Sequence, residues 1–336
     1  MKAYFIDRYG KQNGRIGDVC EPVSGAHDVL IEVHAASVNV LDSKIRSGEF
    51  KLILPYSFPL VLGNDCAGVV IEVGAAVKGF KPGDAVYARV PEQRIGTFAE
   101  RIAVEQNAVA LKPVNLSMEQ AAGIPLVALT AWQALVDIAR LQKGQKVLIH
   151  AGSGGVGTIA IQLAKRLGAV VATTTSTANV EWVKALGADV VIDYKQQHFE
   201  RELRDYDVVL NSLGTDVLEN SLKVLKPGGQ LISISGPPTA EFAKAQGLAW
   251  PLRQVMRLLS LSIRRKARKQ DVRYSFLFMR ANGAQLQEIT SLIEAGEIKP
   301  VLDRTFAFES AGEALTYVEQ GRAKGKVIVQ IKKLPA

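Results

Sequence analysis

The chain has 336 residues, 48% hydrophobic and 22% charged, enough for two soluble domains with substantial cores and too apolar for a disordered protein. Its formal net charge is +8, but Arg253, Arg257, Arg264, Arg265, Lys266, Arg268, Lys269 and Arg273 crowd one stretch and leave the remainder near neutral, so a chain-wide nucleic-acid surface is disfavoured. Two cysteines cannot build a disulfide framework, no apolar run is long enough to cross a bilayer, and the charged N-terminus lacks a signal peptide's apolar core, so the expected location is the cytoplasm.

From residue 1 to about 118 the pattern is short strands and turns. Val29 to Ala35 alternates apolar and polar side chains, as a half-buried strand does. Ala67 to Gly74 and Ala85 to Val90 read as further strands, the second after the turn Lys81-Pro-Gly-Asp84. This half is expected to be all-β, a partly open barrel. Near residue 118 the rhythm changes. Ser117 is an N-cap with Gln120 at the capping-box position, opening a helix pair over 118–140. Strands are then expected at 146–150, 169–173, 190–193, 207–211 and 230–235, with helices at 158–167, 178–186 and 216–225. Such alternation implies a parallel sheet covered on both faces. Residues 238–272 break the rhythm with a basic helical insertion. Tyr274 to Met279 reads as another strand. A helix at 284–295, a strand at 301–308, a helix at 311–320 and a strand at 326–331 complete the chain.

The most informative stretch runs from Val147 to Gly168. A strand-type apolar run gives way to Ala151-Gly-Ser-Gly-Gly-Val-Gly157, and a helix pattern with Ile159, Leu163 and Leu167 follows at once. Gly152 permits the tight turn, Gly154 lets a pyrophosphate approach the backbone, and Gly157 lets helix and strand pack closely. The residues between, Ser153, Gly155 and Val156, present amides at a helix start, where phosphates bind. The dinucleotide is expected to be NADP(H). An NAD site usually carries an acid at the end of the second strand, and here that position reads Thr173-Thr-Thr-Ser176. Hydroxyls can donate to a 2′-phosphate, whereas a carboxylate would repel it.

Several stretches, taken in order, resemble one family: Ala36 to Gly48, Gly63 to Val70, Lys81 to Tyr87, Ala151 to Gly157, Leu186 to Tyr194 and Gly321 to Ile328. The chain resembles the medium-chain dehydrogenase/reductase superfamily, and within it the zinc-independent quinone oxidoreductases of zeta-crystallin type and the alkenal/enone reductases. The resemblance implies an α/β fold: a GroES-like β-rich catalytic domain over 1–122 and 282–336, and a Rossmann doubly wound parallel-sheet domain over 123–281. It implies a homodimer joined by edge strands, with Tyr274 to Met279 as the candidate edge. It places Thr175, Ser176 and Tyr194 at the 2′-phosphate, with Asn179 where many relatives carry a lysine. It puts Thr130 at the nicotinamide. Asn211, Ser235, Gly236, Phe278 and Lys326 complete the implied cofactor contacts.

Zinc relatives use an early cysteine and a Gly-His-Glu stretch, but this chain reads Ser37-Val-Asn39 and Gly63-Asn64-Asp65. Three protein ligands for a catalytic zinc are therefore missing. His27, His34, His150 and His198 show no ligand spacing and read as surface or packing residues. Without a Lewis acid, a conjugated acceptor, either a quinone or the C=C bond of an enone or alkenal, suits hydride transfer better than a simple ketone. Asn39 is the expected polar contact near the reacting centre. Lys44 is a possible donor to an enolate oxygen, with a solvated surface lysine the competing reading. Asp42 is expected to cap or pair locally, as with Arg46. Lys44 and Phe50 stand where quinone reductases often have tyrosines, which favours an enone or alkenal. The alternatives are a zinc-free alcohol dehydrogenase, or an NADPH-binding module for nucleic acid or a membrane surface. The basic insertion motivates the last. No aromatic residues interleave the charges of its Leu258 to Lys269 segment, so a lid or interface helix beside the substrate is preferred.

Overall fold

A computed structural model describes residues 1–11 and 13–332. The chain divides into two compact units: Met1–Leu129 with the segment from Arg280 onward, and Thr130–Met279.

The first unit is built on a seven-stranded sheet. Its order is Leu302–Ala307, Lys326–Gln330, Asp28–Val38, Asp65–Val73, Ala85–Arg89 and Val109–Leu111, and Arg101–Glu105 also pairs with Asp28–Val38. A smaller sheet joins Arg15–Asp18, Lys2–Ile6 and Leu60–Val61. Ile31, Val33, Val70, Val86, Val104, Val327, Val329 and Leu315 fill the core. The half-buried strand expected from residue 29 is different in its second half. From Val33 to Val38 every residue is buried, on both faces. A register shift between Val33 and Ala35 breaks the alternation, and the strand is flanked by Lys326–Gln330 and Asp65–Val73. The N-terminal half is also not all-β: Val40–Ser47 forms a helix. Gly48 closes it in the left-handed region at φ 85° and donates to Ile45. This helix is short and has only one strongly apolar turn, so periodicity does not reveal it. Met118–Ala122 opens with the expected capping box between Ser117 and Gln120.

The second unit is a six-stranded parallel sheet in the order Val190–Asp193, Val170–Thr175, Lys146–Ile149, Tyr206–Asn211, Leu225–Ser233 and Arg273–Phe276. Numbered within the unit, that order is 3-2-1-4-5-6. The chain reverses direction of travel between Lys146–Ile149 and Tyr206–Asn211, the point where such sheets bind ligands. Leu148, Ala172, Ile192, Val209 and Leu231 fill one core face. The last strand stops at Phe276 rather than Met279, so Phe278 lies beyond it and packs at 5.6 Å on Phe242. The insertion is three helices, Ala240–Ala245, Trp250–Leu259 and Leu261–Lys269.

Candidate active site and cofactor loop

In the second unit, the strand Lys146–Ile149 leads into the glycine loop and the helix Gly155–Arg166. Ala151 turns the chain through the left-handed region at φ 52°. Each glycine has a distinct reason. A Cβ on Gly152 would lie 2.2 Å from the Thr173 hydroxyl, and one on Gly157 would lie 2.3 Å from the Ala151 carbonyl. A Cβ on Gly154 would meet only the Ala151 carbonyl, at 3.3 Å, so this glycine keeps the outer side of the loop open to a ligand. Gly154 is the N-cap and offers no side chain. The amides of Gly155, Val156 and Gly157, next to the half-buried Ser153, open the helix without intrahelical acceptors.

His150 anchors the loop, a role the sequence reading did not assign. Its Nδ1 lies 3.1 Å from the Thr174 hydroxyl and its Nε2 lies 2.9 Å from the Ser221 hydroxyl. Ser221 donates to Val217, and the Ala151 amide donates to Thr174. Those bonds leave one consistent tautomer, with Nε2–H donating to Ser221 and Nδ1 accepting from Thr174. Burial pushes the imidazole down to about 3, so the ring holds the turn as a neutral group.

At the end of Val170–Thr175, the Thr175 hydroxyl is buried without a partner. Next to it, Asn179 donates to the Ser176 hydroxyl at 3.1 Å, and Trp182 Nε1 donates to the Asn179 carbonyl at 3.0 Å. Ser176 thus accepts from Asn179 and keeps its own proton to give. Tyr194 is exposed, and its amide donates to the Thr175 carbonyl. The sequence reading found no acid at the end of this strand, yet Asp193 sits level with Thr175 on the adjacent strand. A hydrogen bond from Thr177 leads the effects that hold its carboxyl below the usual range. The Lys195 amide and the Gln196 side chain also donate to it, so its oxygens are turned to the protein. At the end of Tyr206–Asn211, Ser233 and Ser235 donate to the Asn211 carbonyl, and the Asn211 Nδ2 is buried without an acceptor. Gly236 donates to Ser233 and leaves no room for a Cβ, which would meet Tyr274 at 2.7 Å. Thr130 is buried on the helix Pro125–Trp132. Two orphan donors at the ends of the strands on either side of Lys146–Ile149, an uncapped helix start and an open glycine loop fit a dinucleotide phosphate.

The first unit holds a closed polar cluster. Asp65 accepts from Ser37 at 2.8 Å, from Asn39 at 3.0 Å and from the Leu126 amide at 2.9 Å. Lys326 lies 3.8 Å from the same carboxylate and donates to the Asn39 carbonyl and to Val38. Asp42 accepts from the Asn39 amide at 2.7 Å and from Asn64 at 2.7 Å. Burial pushes Asp42 up to about 6, raises Asp65, and lowers Lys326. Lys326, expected at the cofactor, is therefore committed to Asn39 and Asp65. Asn39, expected at the reacting centre, has its side-chain donors on Asp65 and Ser37 and its acceptor on Lys326. Asp42 does cap the helix, but Arg46 pairs with Glu319 at 2.7 Å instead. Lys44 is half-buried, 3.5 Å from Glu49 and 5.9 Å from the Phe50 ring. His34 and His150 are buried, while His27 and His198 are exposed. Nothing in the spacing of 39, 42, 64, 65 and 326 marks them as one cluster; strand pairing brings them together.

Residues 25–114 match the family model "Alcohol dehydrogenase GroES-like domain", and residues 186–329 match "Zinc-binding dehydrogenase". The mitochondrial NAD(P)H oxidoreductase RTN4IP1 of Mus musculus is 38% identical over 98% of this chain and 89% of its own length. The chain is a medium-chain dehydrogenase/reductase. Within that superfamily it falls with the zinc-independent quinone and enone reductases. The chloroplastic NADPH-dependent alkenal/one oxidoreductase of Arabidopsis thaliana is 36% identical over 98% of this chain and 79% of that protein. The solved quinone oxidoreductase of Coxiella burnetii has 31% identity and a TM-score of 0.87, covering 99% of both chains. This medium-chain reductase is an oxidoreductase with a GroES-like first unit and a Rossmann second unit, and it binds NADP(H).

Proposed function

We propose that the protein reduces the conjugated C=C bond of enones or alkenals, or a quinone, with NADPH and without a catalytic metal. The observation that carries this is the Lys326 ammonium 3.8 Å from Asp65, inside the cluster that includes Gly63-Asn64-Asp65. A cation already answers that carboxylate, and Asn64 turns its amide nitrogen to Asp42. Electrophilic help must then come from hydrogen-bond donors, which is enough when charge spreads through a conjugated system. Bound NADPH supplies the hydride.

The chain's own residues divide the remaining work. Asn39 and Asp42 fix the start of the helix Val40–Ser47, which carries Lys44. Lys44 exchanges Glu49 for the oxyanion of the acceptor. Solvent water delivers the proton, to the α carbon of an enone or alkenal or to the oxygen of a quinone. Phe50 beside Lys44 favours an enone or alkenal over a quinone. A homodimer pairing the free edge strand Arg273–Phe276 fits the exposed ladder it leaves. The exposed free thiol of Cys20 suits a reducing compartment, which we take to be the cytoplasm. NADPH oxidation measured in parallel with an enone, a naphthoquinone and a simple ketone tests the reading. Turnover of the conjugated acceptors is expected, and turnover of the ketone alone would reject it.

A further inference from the structure

We propose that the helices Trp250–Leu259 and Leu261–Lys269 form a docking surface for an anionic phospholipid membrane. The two helices follow one another through Ser260, whose hydroxyl donates to Met256 at 2.9 Å. Met256, Ser260, Ile263 and Ala267 are buried. They recur at the three-to-four-residue spacing of one helix stripe, so one face is turned into the protein. The other face is of two kinds. Its first half exposes Trp250 by 69%, Leu258 by 67%, Leu259 by 59% and Val255 by 49%. Its second half exposes Arg265, Lys266, Arg268 and Lys269.

Among the described residues, two of the nearby cations are answered at close range by acids, Arg264 by Glu241 at 3.3 Å and Lys266 by Glu219 at 2.6 Å. Among the described residues, Arg257, Arg265, Arg268 and Lys269 make no ion pair. The sequence from Phe242 to Gln270 contains eight lysines and arginines and no acid. That charge decides between occupants. A second copy laid on this face would bring two such clusters together with no carboxylate on either helix to offset them. A nucleic acid would satisfy the cations and leave Trp250, Leu258 and Leu259 in water. An anionic bilayer surface satisfies both halves: the apolar side chains enter the acyl boundary and the guanidinium and ammonium groups meet lipid phosphates. Sequence alone favours a lid or interface helix here; the exposure of the apolar half redirects the reading to lipid.

The full-length protein is sedimented with vesicles of phosphatidylcholine alone and of phosphatidylcholine with about one third phosphatidylglycerol. It is expected to pellet with the second and not the first, and less so as salt is raised. The double variant Leu258→Glu/Leu259→Glu and the double variant Arg268→Glu/Lys269→Glu should each weaken partitioning by at least about tenfold. Both should keep the rise in Tm that NADPH produces, which shows that they are folded. Failure of the parent protein to pellet with anionic vesicles overturns the proposal, as does equal partitioning of folded variants. A change from dimer to monomer in the leucine variant with lipid binding unchanged assigns the face to a second copy instead. RNA binding lost only in the charge variant, without vesicle binding by the parent, assigns it to nucleic acid.

Discussion

The Asn179 side chain donates to the Ser176 hydroxyl at 3.1 Å, while the Trp182 indole holds its carbonyl from behind. Asn179 thus orients a donor beside the buried Thr175 hydroxyl. Its loss should act on the 2′-phosphate and spare the rest of the cofactor. Asn179→Ala should raise the KM for NADPH about fivefold, the worth of roughly one hydrogen bond, and leave the KM for NADH unchanged. Initial-rate kinetics with both cofactors read this, and an equal change in the two would place Asn179 outside the phosphate site.

Thr175 carries a buried hydroxyl with no partner at the end of its strand. A carboxylate there should accept from ribose and repel a 2′-phosphate. Thr175→Asp is expected to move the NADPH-to-NADH ratio of kcat/KM toward NADH by about tenfold or more, a change of about 1.4 kcal/mol. An unchanged ratio counts against the placement of the phosphate.

A methyl group on Gly157 would lie 2.3 Å from the Ala151 carbonyl and 2.8 Å from the Gly152 Cα. Both obstacles are backbone, so strand and helix must part. Gly157→Ala should cost about 1–3 kcal/mol of stability and shrink the Tm rise that NADPH gives. Gly154→Ala, with its one neighbour at 3.3 Å, should keep the parent's stability and lose cofactor affinity. Thermal unfolding with and without NADPH separates the two.

Asp42 is fully buried, and its carboxyl is raised to about 6 from 3.8. A carboxyl raised in the folded state binds its proton more tightly there than in the unfolded chain. Its contribution is therefore full below about pH 4 and is lost as the pH climbs through 6. Between pH 7 and pH 5 it should return about 1 kcal/mol of stability. Asp42→Asn keeps an acceptor for the Asn39 amide and removes the titration. Wild-type Tm minus variant Tm should rise on acidification from pH 7 to 5, and a flat difference would show that Asp42 does not titrate in this window.

Lys326 and Asp65 are both buried. Lys326→Met leaves the Asp65 charge without its cation and should cost about 3–5 kcal/mol. Adding Asp65→Asn to Lys326→Met should recover part of that loss, because the uncompensated charge is then gone. Chemical denaturation of the single and double variants measures it; a double variant as unstable as the single one would mean that packing, not charge, sets the cost.

The parallel sheet was legible because each of its parts is local. The apolar run into Gly152 and the strand Val190–Asp193 both declare themselves within a few residues. The helix Val40–Ser47 was not legible, since what starts it is the Asp42 carboxylate on the Asn39 amide rather than an apolar stripe. The end of the last sheet strand was misjudged because Phe278 continues the apolar pattern after pairing has ended at Phe276. The resemblance singles out Thr175 and Ser176, and Asn211 is marked by its place at a strand end. Lys326 could not be linked to Asp65, because antiparallel pairing of distant strands creates that contact. His150 was read as packing, and only its two partners, Thr174 and Ser221, show that it steadies the loop.

The contact between Lys326 and Asn39 joins residues 287 positions apart. During synthesis Asn39 and Asp65 emerge from the ribosome long before the lysine that answers them, and the whole parallel sheet is made in between. The nascent chain therefore carries the Asp65 carboxylate without its cation until the strand Lys326–Gln330 arrives.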